Sequence, residues 1–207
     1  MSISRVTKAI AVMRREQRFS NAEDIRKIDV DIYLPATITL EASQMAQVAV
    51  ALVLRCFTGN LRVHGVPEEH SVKATLQSEA RKVGGIERLQ LKPNNVGEWR
   101  LALCHRRDGA VSADVSGWNA RMNGTFTERI PAAAPAIAFS VACVIAKLFS
   151  AAILGNHKNF LETWDFCLLR FGVNEIDQIA VPSNVNLGRV ALLGAGAIGS
   201  AAGYILS

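Results

Sequence analysis

Closely spaced cysteine pairs are missing from this chain. Its four cysteines, Cys56, Cys104, Cys143 and Cys167, lie far apart in apolar runs, with no Cys-x-x-Cys among them. That argues against a zinc site and fits reduced core residues of a cytoplasmic protein. Aromatic residues are scarce, at 6%, and no run of adjacent cations is longer than a pair, the double arginines being Arg14-Arg15 and Arg106-Arg107. A nucleic-acid surface needs clustered cations interleaved with stacking rings. The net charge of +5 therefore reads as a solvated basic face rather than a nucleic-acid site. Residues 1–10 hold no apolar h-region, so no secretory leader is read there. One long apolar run exists, from Ala132 to Leu154. Lys147 near its middle, Pro135 near its start and its many alanines favour a buried core helix over a membrane span.

What is present suits an α/β protein. Half of the 207 residues are hydrophobic and 20% are charged. Residues 1–27 form a basic stretch in which Val6, Ala9, Ile10 and Met13 recur at helical spacing, which predicts a surface helix. Residues 28–34 alternate apolar and polar up to Pro35, which predicts a strand. A helix is expected over 40–57, with Thr39 as its N-cap and Met45, Val48, Leu52 and Cys56 on one face. A short strand over 60–65 and a helix over 70–83 follow, the latter closed by Gly84-Gly85. Residues 98–115 read as a hairpin turning at Asp108-Gly109, with 116–124 leading out of it. The long helix begins at Pro135, where a missing N–H costs nothing. Residues 160–171 are ambiguous between helix and strand, with the alternation of Trp164, Phe166 and Leu168 favouring a strand for the second half, and 172–186 reads as a connecting loop.

The last stretch breaks from a strand, Val190 to Leu193, into Gly194-x-Gly196-x-x-Gly199 and then into small helix-forming residues. Such a turn bends at its first glycine, brings the backbone close to a phosphate at its second and packs helix on strand at its third. The emerging helix N-terminus favours an anion. The first strand, by contrast, runs into Pro35-Ala36-Thr37-Ile38-Thr39, with no glycine. The division expected is a basic helix over 1–27, a Rossmann-like domain without a phosphate cradle over 28–172, a linker over 173–187, and the opening of a nucleotide-binding domain over 188–207. The sheet is expected to be mostly parallel, with helices on both faces.

Gly194-Ala195-Gly196-Ala197-Ile198-Gly199-Ser200, after Arg189 to Leu193, resembles the nucleotide loop of ThiF/MoeB-type, ubiquitin-activating-enzyme-like adenylyltransferases. The order of a glycine-free half before a glycine-bearing one is similar to fused members of that superfamily, including bacterial activators of ubiquitin-like modifiers. The resemblance implies ATP- and Mg2+-dependent adenylation of the carboxyl terminus of a ubiquitin-like protein. The implied partners are that protein, a conjugating enzyme and a second copy of the chain, with no nucleic acid or membrane involved. It places the phosphate cradle at Gly194, Gly196 and Gly199. The family's ribose-binding acid, metal-binding Asp, later Arg and Lys, zinc cysteines and catalytic cysteine fall past Ser207. The chain as given is therefore expected to bind no cofactor alone. The family's trans-acting arginine maps partly onto Arg18, in Arg18-Phe19-Ser20, and Arg121 is a second candidate. Two other readings remain open: a fragment of an NAD(P)-binding Rossmann oxidoreductase, and a non-enzymatic interaction domain. His105-Arg106-Arg107 reads either as a phosphate contact or as a charged hairpin flank, and His64 as a structural residue closing a strand.

Overall fold

The computed structural model describes residues 27–67, 71–154 and 162–173. The basic N-terminal helix (apart from Lys27), most of the linker and the glycine turn with its flanking strand and helix lie outside the described residues.

The first strand, β1 (Val30–Tyr33), is central, and α1 (Leu40–Cys56) follows it. Thr39 caps α1 as expected, its Oγ1 accepting from the Ala42 amide at 3.2 Å. Next come β2 (Leu61–His64), α2 (Ser71–Lys82), a 3-10 turn at Ile86–Arg88 and β3 (Leu89–Leu91). Gly84, at φ 68°, ends α2, and the Gly85 amide returns to the Ala80 carbonyl at 2.9 Å. Arg88 then donates to the Phe57 and Leu54 carbonyls, both at 2.7 Å, covering the open end of α1.

The chain goes on through β4 (Trp99–Leu103), β5 (Val111–Ser116) and β6 (Asn119–Met122). The last described elements are α3 (Ala134–Leu154), β7 (Trp164–Cys167) and β8 (Gly172–Val173). The strands form one sheet in the order β3-β2-β1-β4-β5-β6-β7-β8. The first five run parallel and the last three antiparallel. This is the mostly parallel, helix-flanked Rossmann-like sheet that the sequence predicts.

The hairpin over 98–115 is corrected. Residues β4 and β5 are parallel, with Leu101 beside Val111 and Leu103 beside Ala113. The Asp108-Gly109 turn does form, with Gly109 at φ 70° and the Ala110 amide on the Arg107 carbonyl at 3.2 Å. An earlier reversal precedes it, because Cys104 leaves β4 in the left-handed region at φ 59°. Two reversals restore the original direction. The true hairpin comes one element later. Ser116 faces Asn119 across Gly117-Trp118, and Gly117 takes the positive φ, 57°, that a two-residue loop requires at its first position.

Alternation along the strands divides the sheet into two unlike faces. Val30, Ile32, Leu61, Val63, Leu101, Leu103, Val111, Ala113 and Val115 pack with Met45, Val50, Leu54, Val141 and Leu148 of the helices. Within that layer α1 contacts both α2 and α3, and α3 also rests on β5 and β6. Helix α3 is long and apolar enough to cross a membrane by length and composition. Its Ile137, Val141, Val144, Ile145 and Leu148 are nonetheless buried in this core. Each such side chain contributes about 1.5–3 kcal/mol of apolar burial.

Candidate functional site

The intervening strand residues are polar, and they organise the opposite face. Asp31, at the centre of β1, is 0% exposed. One of its oxygens meets His64 Nε2 at 2.6 Å. The other accepts the Gly97 amide at 2.5 Å and Arg62 Nη1 at 3.4 Å. Arg62 also pairs with Asp29, whose second oxygen caps the Asn60 amide at 2.7 Å. Buried charges persist only when paired, and these are, with Arg62 Nε alone of the network's atoms left buried and unpartnered. Gly97 has to be glycine, because a Cβ there would stand 2.5 Å from Asp31 Oδ2 and 2.7 Å from Arg62 Nη1. The network thus fastens the segment before β4 onto the sheet.

A ring stack continues from it. The His64 and Tyr33 rings lie 4.3 Å apart and 12° from parallel, and the Arg107 guanidinium sits 3.9 Å from the Tyr33 centroid. His64 is therefore an anchored strand-end residue, in line with its structural reading.

A second buried carboxylate, Asp114 on β5, accepts the Phe126 amide at 2.7 Å, the Val115 amide at 3.0 Å and Arg129 Nη2 at 2.9 Å. Desolvation raises its pKa, and these donors and the Arg129 charge only partly offset that. Ser116 Oγ takes the Ile130 amide at 3.1 Å and donates to the Glu128 carbonyl at 3.2 Å. Together they hold residues 126–130 along β5.

Arg121 is built into this architecture. On β6 it donates to both oxygens of Asp165, at 2.6 and 3.0 Å, and to the Thr125 carbonyl at 2.8 Å, and it lies 4.2 Å from the Phe126 centroid. The Asp165 hydrogen bonds push its pKa up. Arg18, Gly194, Gly196 and Gly199 lie outside the described residues.

Three of the cysteines are held as neutral thiols. Burial raises Cys56 and Cys143, and Cys104 is pushed up to about 12 by desolvation and then by the Asp114 charge. Among the described residues no group of three His, Cys, Asp or Glu side chains is placed to hold a metal.

At the C-terminal ends of β1 and β2, an open cavity of about 490 Å³ lies between the starts of α1 and α2, lined by Thr37, Thr39, Ser43, Ser71 and Val72 among others. A Rossmann nucleotide site would sit at this end of the sheet. The residues present do not fit one. The turn after β1 holds no glycine, and no residue of 34–39 has a positive φ. The turn after β1 therefore lacks the glycine cradle of a Rossmann nucleotide site.

Reading the sequence alone missed Asp31, Arg62, Asp114 and Arg129. A signal existed: Asp29 and Asp31 alternate on one strand as Arg62 and His64 do on the next, which matches opposite charges across a parallel pair.

No family model matches the chain, and no curated protein matches it in sequence. Solved structures of E. coli MccB are similar in fold. MccB with selenomethionine-containing MccA aligns at a TM-score of 0.51 and 9% identity, over 79% of this chain and 67% of that one. MccB with ATP aligns at 0.50 and 8%, over 78% and 67%. MccB with AMPCPP and MccA aligns at 0.50 and 9%, over 80% and 68%. The likeness is one of fold: this chain shares with MccB a Rossmann-like, mostly parallel α/β sheet.

Proposed function

We propose that this chain is the N-terminal part of a ubiquitin-activating-enzyme-like protein of ThiF type. Residues 28–172 serve as its structural half, used for dimerisation and partner recognition. The turn Gly194-x-Gly196-x-x-Gly199 opens the half in which ATP and Mg2+ adenylate the carboxyl terminus of a ubiquitin-like protein in the cytoplasm, before transfer to a conjugating enzyme. The observation that carries the reading is the fold shared with MccB, a protein solved with ATP and with MccA. The glycine-free turn after β1 supports it, since a half without a cradle leaves nucleotide binding to the glycine turn downstream. Arg121, committed to Asp165, would serve the partner subunit only by exchanging that ion pair.

The test is ATP–pyrophosphate exchange by the natively expressed protein in the presence of candidate ubiquitin-like proteins. Modifier-dependent exchange that disappears in Gly196→Val is expected. Absence of exchange together with saturable NAD(P) binding would overturn the reading in favour of an oxidoreductase.

A further inference from the structure

Arg107 is solvent-exposed, yet its guanidinium is positioned by a chain of buried contacts. It lies on the Tyr33 ring, Tyr33 stacks on His64, and Asp31 holds His64 at 2.6 Å. Asp31 is in turn fixed by the Gly97 amide and Arg62. The β4 partner of Tyr33 is Ala102, whose methyl is too small to displace the guanidinium from this face.

An exposed arginine ordinarily loses rotamer freedom when it binds, and here much of that ordering is already done. The donor fork is nevertheless unused. Neither Arg107 nor Arg106 has a hydrogen bond or ion pair with any described residue. The acids beneath are engaged elsewhere: Asp29 takes the Asn60 amide and Arg62, and Asp31 takes the Gly97 amide, Arg62 and His64. The Tyr33 hydroxyl, on the ring that Arg107 covers, is buried with no hydrogen-bond partner.

We propose that Arg107, with Arg106 and the Tyr33 hydroxyl, forms a receptor for a phosphate group at the C-terminal ends of β1 and β4. A planar fork on an aromatic face binds an oxyanion through two parallel N–H bonds. Two cationic charges and a phenolic donor suit a tetrahedral dianion better than a carboxylate monoanion. The location fits as well. In the order β3-β2-β1-β4-β5 the connections diverge between β1 and β4, and open α/β sheets take ligands at that point. This site is made of side chains and owes nothing to the glycine turn. It stands whether or not the protein adenylates anything.

Isothermal titration of the full chain with inorganic phosphate, at constant ionic strength and with acetate as control, tests it. Saturable phosphate binding that acetate does not reproduce is expected. Arg107→Lys keeps the charge and the aliphatic stem over Tyr33 but loses the fork, and should weaken binding about tenfold or more with an unchanged melting temperature. Arg106→Gln should weaken it less, and Tyr33→Phe should weaken it without loss of fold. Titration with AMP separates the sources. Tighter binding than inorganic phosphate identifies a nucleotide phosphate, and equal binding identifies free phosphate. No saturable binding would overturn the proposal. So would binding that survives Arg107→Lys and is lost in Gly196→Ala.

Discussion

A carboxylate without solvent contact, such as Asp31, persists only where its charge and lone pairs are matched. Asp31→Ala would leave Arg62, 8% exposed at its side chain, and His64, 19% exposed, without that partner. The expected cost is about 3 kcal/mol or more, read as a lower urea midpoint at unchanged slope. Asp114 behaves differently, because its pKa is raised above 3.8 in the folded state. The folded protein therefore holds that proton more tightly than the unfolded chain does. The resulting stabilisation is full below pH 3.8 and is lost as pH rises through the folded pKa. The stability of the native protein minus that of Asp114→Asn should fall as pH rises from 3.8 towards neutrality. A difference that rises instead would contradict the desolvation argument. Gly97→Ala would force Cβ into Asp31 and Arg62 and should cost about 2 kcal/mol or more in the same urea assay.

At the scale of elements, α1 is secured at both ends by side chains. Thr39 caps its start and Arg88 covers the Leu54 and Phe57 carbonyls at its close. Thr39→Ala should cost about 1 kcal/mol, seen in thermal unfolding by circular dichroism, with the fold retained. The apolar period of α1 and α3 was legible because a helix repeats its buried face every turn or so. The parallel pairing of β4 with β5 was not. Asp108-Gly109 is a true turn signal, but the preceding reversal depends on Cys104 adopting φ 59°, which no residue type announces. Cys104 is held there by its amide on the Ala113 carbonyl at 2.8 Å and by Arg129 on its own carbonyl at 3.1 Å. The first joins β4 to β5, and the second comes from an arginine 25 residues further along the chain.

For the molecule as a whole, one sheet joins every described strand, and the three described helices pack in one layer on its apolar face. Trp99 lies on β4, Trp118 in the β5–β6 hairpin and Trp164 on β7, so the three tryptophans sample the sheet from its middle to one edge. Tryptophan fluorescence and far-ultraviolet circular dichroism should therefore report coincident urea transitions. Separate midpoints would show that β6–β8 unfold apart from the parallel core.

The sequence by itself determined the kinds of elements and most of their positions: the strand before Pro35, the Thr39 cap, the Gly84-Gly85 stop and the long helix from Pro135. Those signals are local, set by periodicity, backbone conformation and capping chemistry within a few residues. It also determined that the turn after β1 carries no glycine cradle. Tertiary structure alone decided the strand order, the parallel run of β5 and the polar face. Asp31 meets Gly97, and Arg107 meets Tyr33, only after the sheet has formed. The alternation of acids on one strand and bases on the next is visible in the sequence, but which groups meet is settled only when the strands set their register, and the network that positions Arg107 exists only in the folded protein.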